Sequence, residues 1–475
     1  MSTHQTTRHI EVVGPPRDRH GEILTPEALD FVARLDTAFA RRRRDLLAAR
    51  RHRADSLASG HPLDFPRATS AVRDDPHWRV APQAPGPGDR HRASVPGPPQ
   101  AGTAAHSHGS GADPRVVDFT EVPSPLWENV LAGQLALTDA CPHPAGSGAP
   151  HGPEPRAGGG VPALAVRPRG WHLEEENLRI DGRPVSASLV DFGLYVFHRA
   201  RHLTGAGSGP RLHLAGLENR FEARLWNDVF LLAQDLLGMP RGTVRATAVI
   251  DTVTAAFEME EILYELREHG SGLAADRWHY LVSVIGTFGH RTPFLLPDST
   301  EDAVTAPFIR AYSELLVRTC RRRNAPATGD LPPTARGPED TPVRAADLLA
   351  AGRTGPAQTP TRQQLRSAVA LALRHTETWL RDRGTTAPGR LAGGQAAELT
   401  RARLWQWRRQ RLVSPTDLRA LIDVESAAMA REHPGAAVAA AREVLEGTLL
   451  EDALPPLLTP DTYRRGLICA AGGSA

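Results

Sequence analysis

The sequence of 475 residues contains no lysine: all 56 of its Lys and Arg side chains are arginine. This excludes a lysine Schiff base, a pyridoxal-phosphate enzyme and a Walker-A phosphate loop, each of which needs a primary amine. Cysteine is almost as scarce. Cys141, Cys320 and Cys469 stand far apart with no C-x-x-C pair, so neither a disulfide framework nor a zinc knuckle is expected, and a reducing cytoplasm fits. Aromatic residues make up only 5%. No apolar run approaches the ~18 residues of a membrane span, and Met1 is followed by polar sequence without a signal core. The net charge of +2, from 56 basic and 54 acidic side chains, argues against a nucleic-acid binder recruited by bulk charge. A soluble, cytoplasmic protein with no membrane and no nucleic-acid partner is expected.

Hydrophobic residues at 40% and charged residues at 23% suffice for a buried core. The 42 glycines and 41 prolines are bunched, and they divide the chain. Residues 80–114 and 324–361 read as Pro/Gly-rich linkers, and 141–160 as a low-complexity insertion. His106, His108, His143 and His151 fall in these tracts at irregular spacing, so no metal site is expected of them. Three units remain: an N-terminal helical segment (1–79), an α/β region (115–323) and a helical C-terminal region (362–475). In the first, Thr25-Pro26-Glu27 is a helix start with a hydroxyl cap, an early proline and an acid at the positive end. Val32, Leu35, Phe39 and Leu46 share one face. Arg41 to Arg44, with Arg50, Arg51 and Arg53, read as the solvated remainder.

In the α/β region, strands are expected at Val116 to Phe119, Ala163 to Val166, Arg211 to Leu214, Val244 to Ile250 and Tyr280 to Ile285. Helices are expected at Glu222 to Leu237 and Thr252 to His269. This alternation suggests a parallel α/β sheet, closed or open. The last third carries helices over Arg362 to Arg383 and Leu399 to Arg411, and one capped at Ser414.

Asp251 directly follows an apolar strand, where barrel enzymes place ligands and bases; it could equally cap the next helix. Glu258, Glu260, Glu261, Glu265 and Glu268 read as an exposed, charge-paired face. Arg167 and Arg169 also stand at a strand end, where an arginine can stabilise an oxyanion. The chain has no GxSxG, HExxH or GxGxxG.

The segment Arg167 to Leu173 (RPRGWHL) is similar to a motif of the malate synthase family, in the A form of the glyoxylate cycle. The likeness continues through Ser186 to His198 (SASLVDFGLYVFH), Glu218 to Asp235 (ENRFEARLWNDVFLLAQD), Ala256 to His269 (AFEMEEILYELREH) and Ala311 to Arg322. Glu22 to Arg50 resembles the family's N-terminal helix, and Leu404 to Trp407 (LWQW) its C-terminal plug. The resemblance implies a (β/α)8 TIM barrel with an N-terminal helical clasp and an all-helical plug. It also implies a Claisen condensation of acetyl-CoA with glyoxylate and water, giving malate and CoA. That reaction needs a carboxylate base, a Mg²⁺ held by two carboxylates and an arginine facing the enolate oxygen.

Carried over position by position, the parts match unevenly. The arginine is Arg167. The first metal carboxylate, a glutamate in the family, falls on Asp251; the second, the aspartate of GRWDY, falls on His279, a residue better suited to Mn²⁺ or Zn²⁺ than to Mg²⁺. The base, the aspartate of MEDAATAEIS, falls on Gly393. The acidic motif DFEDSNSPTW reads Asp118-Phe119-Thr120-Glu121-Val122-Pro123-Ser124-Pro125-Leu126-Trp127. A GGM strand and the unit after it give way to the tract from Asn324, so the barrel is expected to be incomplete. The reading is a divergent malate synthase with lost or reduced catalysis, which could bind acetyl-CoA or associate with an active paralogue. The alternatives are an active enzyme with a substitute base, Glu398 being nearest, or a metal-dependent lyase or aldol-type enzyme using Asp251 and His279.

Overall fold

The computed structural model describes residues 9–82, 96–97, 116–120, 126–139, 165–205, 209–291, 294–296, 303, 305–332, 342–350, 359–381, 391–433 and 437–455. The insertion 141–160, the four histidines of the tracts, Cys141 and Cys469 lie outside them. The strands are β1 (Glu11–Val12), β2 (Pro96–Gly97), β3 (Val116–Asp118), β4 (Ala165–Arg167), β5 (Glu174–Ile180), β6 (Arg183–Ser186), β7 (Arg211–Leu214), β8 (Arg245–Ile250), β9 (Gly270–Ala275) and β10 (Ala327–Gly329). β1, β5 and β6 form a small antiparallel sheet. The other seven form one parallel sheet in the order β10-β9-β8-β7-β4-β3-β2. Each barrel strand lies beside its predecessor, yet β2 and β10 do not pair with each other, so the wall stays open among the described residues.

Four expected strands appear within two residues of their predicted bounds. Tyr280 to Ile285 is a correction: it lies within the helix Arg277–Phe288. Its β-branched residues suggested a strand, but Tyr280, Leu281, Val284, Ile285 and Phe288 are the buried ones, which is helical spacing. The strand is instead the Gly/Ala-rich β9. Gly272 there has φ +116°, and a Cβ on it would stand 2.1 Å from the Pro326 carbonyl oxygen. The ladder to β8 shifts register at this bulge, a place where glycine is required. The tract 324–361 is not linker throughout. Ala327–Gly329 pairs in parallel with β9, Arg277 binds Asp330 through two bonds of 2.9 and 2.6 Å, and Ala345–Leu348 is helical.

The clasp is one 33-residue helix, Pro26–Ala58, capped by Thr25, whose hydroxyl accepts from the Ala28 N–H at 3.2 Å. Its arginines are only in part a solvated face: Arg41, Arg44 and Arg51 are exposed as expected, and the others are not. Arg43 is buried and donates to the Trp171 and Leu173 carbonyls at 2.6 and 3.2 Å. Arg42 pairs with Asp228, Arg50 with Glu222 and Arg53 with Glu258. The run of positive charge suggested water, but it meets acids presented by the helices and loops of the sheet. The expected glutamate face holds at Glu268, which is exposed, and is corrected at two positions. Glu258 and Glu261 are paired but buried, and Glu261 takes Arg73.

The plug comprises helices Arg362–Arg381, Leu391–Arg409, Pro415–Glu432 and Val438–Leu450. Ser414 caps the third, accepting from the Asp417 N–H. Helix Leu391–Arg409 docks on the barrel: Gln406 donates to the Phe294 carbonyl at 2.8 Å and Gln410 to that of Gly289 at 2.9 Å. Among the described residues no helix is long and apolar enough to cross a membrane.

Candidate active site at the strand ends

The carboxyl ends of β3, β4, β7, β8 and β9 bring Asp118, Arg167, His213, Asp251 and Asp276 to one side of the sheet, where barrel folds carry their chemistry. Asp118 and Arg167 end neighbouring strands and stand in register. The Asp118 carboxylate is fully buried, accepts from the Thr120 N–H at 2.7 Å, and lies 3.3 Å from Arg167 Nη1. Arg167 is itself buried, so its charge faces the site rather than water. His213 is held neutral: burial, with the Arg167 charge adding, pushes its pKa down to about 3.

Asp251 is not the helix cap. Thr252 takes that role, accepting from the Ala255 N–H at 3.2 Å. The Asp251 carboxylate instead accepts the Gly216 N–H at 2.8 and 3.0 Å. Burial pushes its pKa up to about 7; the Gly216 N–H opposes that shift and the Asp276 charge adds to it. Asp276 caps helix Arg277–Phe288 and accepts from the His279 N–H at 3.2 Å. Its Oδ2 lies 2.8 Å from His279 Nδ1. Burial alone would raise its pKa, but His279 and then Arg167 hold the carboxyl well below the usual range.

A second layer fixes these groups. Arg50 of the clasp donates to the Gly216 carbonyl at 2.7 Å, while the Gly216 N–H holds Asp251. Arg169 points away from the site, fully buried between Asp191 at 2.7 Å and Glu175 at 2.8 Å; it braces the chain leaving β4. Gly393 lies in helix Leu391–Arg409. Glu398, the nearest acid expected to substitute for a base there, is clamped by Arg401 at 2.8 and 2.5 Å.

Of these five strand-end residues, the sequence points to Arg167 and Asp251 and, within a motif, to Asp118; it does not single out His213 or Asp276. Asp276 had a usable signal: it occupies the glycine position of GRWDY, three residues before the lost aspartate. His213, one position inside an apolar strand, looks like any core histidine.

Among the described residues no three His, Cys, Asp or Glu side chains are arranged to cage a metal ion. Mg²⁺ is usually bound through one or two carboxylates with water and substrate oxygens. Asp251 and Asp276 fit that donor set in kind: two carboxylates at adjacent strand ends, each raising the cost of ionising the other.

Residues 163–348 match the family described as malate synthase, TIM barrel domain, and residues 8–70 match malate synthase, N-terminal domain. The chain is 39% identical over 543 residues to a malate synthase of Streptomyces clavuligerus, covering 98% of this chain and 99% of the relative. It is 36% identical over 456 residues to one of Myxococcus xanthus, covering 84% and 83%. A Dictyostelium discoideum malate synthase is 38% identical over 325 residues, covering 68% and 60%. The first alignment is longer than the 475 residues of this chain, so that relative carries segments absent here.

Proposed function

The chain belongs to the malate synthase family, and from that premise we propose that it keeps the family's glyoxylate end but has lost its proton-abstracting end. The family joins the methyl carbon of acetyl-CoA to the aldehyde of glyoxylate. Arg167 is the group that faces the developing enolate oxygen, with Asp118 orienting its guanidinium. Arg167 is buried, and desolvation strengthens its field at that oxygen. Asp251 and Asp276 would hold Mg²⁺, which when bound would polarise the aldehyde carbonyl. In this reading His279 supports Asp276 rather than replacing the family aspartate as a ligand.

One observation carries the loss: the base position is Gly393, and Glu398, the nearest replacement, is engaged by Arg401. General-base catalysis contributes about 10²–10⁴-fold in rate, and a glycine contributes none of it. The role left to such a chain is binding, of acetyl-CoA or of an active paralogue, in the cytoplasm.

The test is glyoxylate-dependent release of CoA thiol, with Mg²⁺ and then Mn²⁺, by the unmodified protein and by Gly393→Asp. Activity at least 10²-fold higher in the variant is expected from the size of the missing base term. Equal turnover by both proteins would overturn the reading and require a base elsewhere.

A further inference from the structure

We infer that Tyr312 is a positioning residue whose hydroxyl is inserted into the last rung of the β8–β9 ladder, setting the gap between Asp251 and Asp276. The ladder's phase makes this visible. The Ala246 N–H donates to the His269 carbonyl, so alternate β8 residues (246, 248 and 250) direct both backbone groups at β9. On β9, Ala275 turns the other way, its carbonyl accepting from the Asp330 N–H at 2.9 Å. Ile250 is in register with Ala275, so the next rung of a parallel ladder runs from the Asp276 N–H to the Ile250 carbonyl.

That rung is not direct. The Asp276 N–H donates to Tyr312 Oη at 3.2 Å, and the same hydroxyl donates to the Ile250 carbonyl at 2.5 Å. One oxygen therefore takes the place of a single bond of about 2.9 Å. The residues carrying the site carboxylates, Asp251 and Asp276, emerge on either side of this insertion. The phenol cannot swing away: Tyr312 is fully buried and stacked on Tyr280, ring centres 4.2 Å apart. It comes from helix Pro307–Arg322 on the outer layer, so the spacing at the mouth is set from outside the sheet.

This deepens the proposed function and rests on its assignment of Asp251 and Asp276 to the glyoxylate end. The test compares Tyr312→Phe with Tyr280→Phe. Tyr280 offers the same chemical change one ring away, its hydroxyl making no hydrogen bond among the described residues. Crystal structures of the full chain read the Ile250 O to Asp276 N separation. Electron paramagnetic resonance titration reads Mn²⁺, the probe for the cation. Tyr312→Phe is expected to close the rung to a direct bond and weaken Mn²⁺ binding at least tenfold, with Tyr280→Phe unchanged in both. An unaltered separation in Tyr312→Phe, or equal Mn²⁺ affinity, overturns the inference. If the parent binds no Mn²⁺, the cation assignment fails and takes the role of the gap with it; the structures still decide whether the hydroxyl opens the rung.

Discussion

Removing Arg50 should cost more stability than any exposed arginine on the same helix. The guanidinium meets Glu222 through Nε–Oε1 at 2.6 Å and Nη2–Oε2 at 2.5 Å, and Nη2 also reaches the Gly216 carbonyl. The Glu222 side chain is 1% exposed. In Arg50→Met, the carboxylate keeps the Glu218 N–H at 3.0 Å and Asn219 Nδ2 at 3.2 Å but loses its counter-charge. Stranding one partner of a buried pair costs about 3–5 kcal/mol. Two charge-assisted bonds at roughly 1.5–3 kcal/mol each give about 3–6 kcal/mol, which overlaps that range. Arg50→Met/Glu222→Gln removes both charges of the pair and should cost about 1–2 kcal/mol, because the buried Glu222 position no longer carries an uncompensated charge. Urea unfolding followed by tryptophan fluorescence is a suitable assay, since Trp171 and Trp226 pack 4.3 Å apart beside this seam. A single variant that loses under about 1 kcal/mol, or a double variant equal to the sum of its singles, would refute the reasoning.

Gly272→Ala should leave the chain largely insoluble or lower its urea midpoint sharply, because the new Cβ meets the Pro326 carbonyl at 2.1 Å at a φ of +116°. Tyr280→Phe should be neutral or slightly stabilising in the same titration, since it deletes a buried hydroxyl without a partner. His269 makes stability fall in acid. Its Nε2 accepts from the Gly242 N–H at 3.3 Å, its Nδ1 lies 2.8 Å from Asn227 Oδ1, and burial lowers its pKa from 6.5 to about 4. The unfolded chain therefore binds the extra proton, so the contribution is complete above pH 6.5 and lost as pH falls toward 4. This amounts to about 3 kcal/mol. His269→Gln should flatten the pH dependence over that window by a similar amount, read from urea midpoints at pH 7, 5.5 and 4.5; an unchanged slope would show that His269 is not the group responsible.

Strands built from β-branched and apolar runs, such as Val116–Asp118 and Arg245–Ile250, were legible because their side chains fit a doubly covered parallel sheet. Gly270–Ala275 carries no β-branched residue, and its place is set by neighbours and a bulge, so local preference gave no sign of it. The adjacent LVSVIG segment shows the reverse: strand-like residues are held helical by the Asp276 cap and by one buried face. Charge misled for a related reason. Sequence shows arginines and glutamates separately, and only the fold reveals that Arg50 meets Glu222 and Arg73 meets Glu261. At the site, Arg167 and Asp251 could be read from strand ends. Asp276 was hidden because a helix cap and a strand-end carboxylate look alike in sequence, and here one residue is both. The loss proposed at Gly393 rests on resemblance, since a glycine in a helix carries no trace of what it replaced.

The clasp helix also sets an order of events during synthesis. Arg43 awaits Trp171, 128 residues later; Arg50 awaits Glu222, 172 later; Arg53 awaits Glu258, 205 later. At roughly 5–20 residues per second, the Arg50 partner follows by about 10–35 s. Such long separations slow the search for native contacts. The clasp helix is thus secured only after much of the α/β region has been made, and a chain that stops before residue 222 leaves Arg50 without the Glu222 carboxylate that receives it.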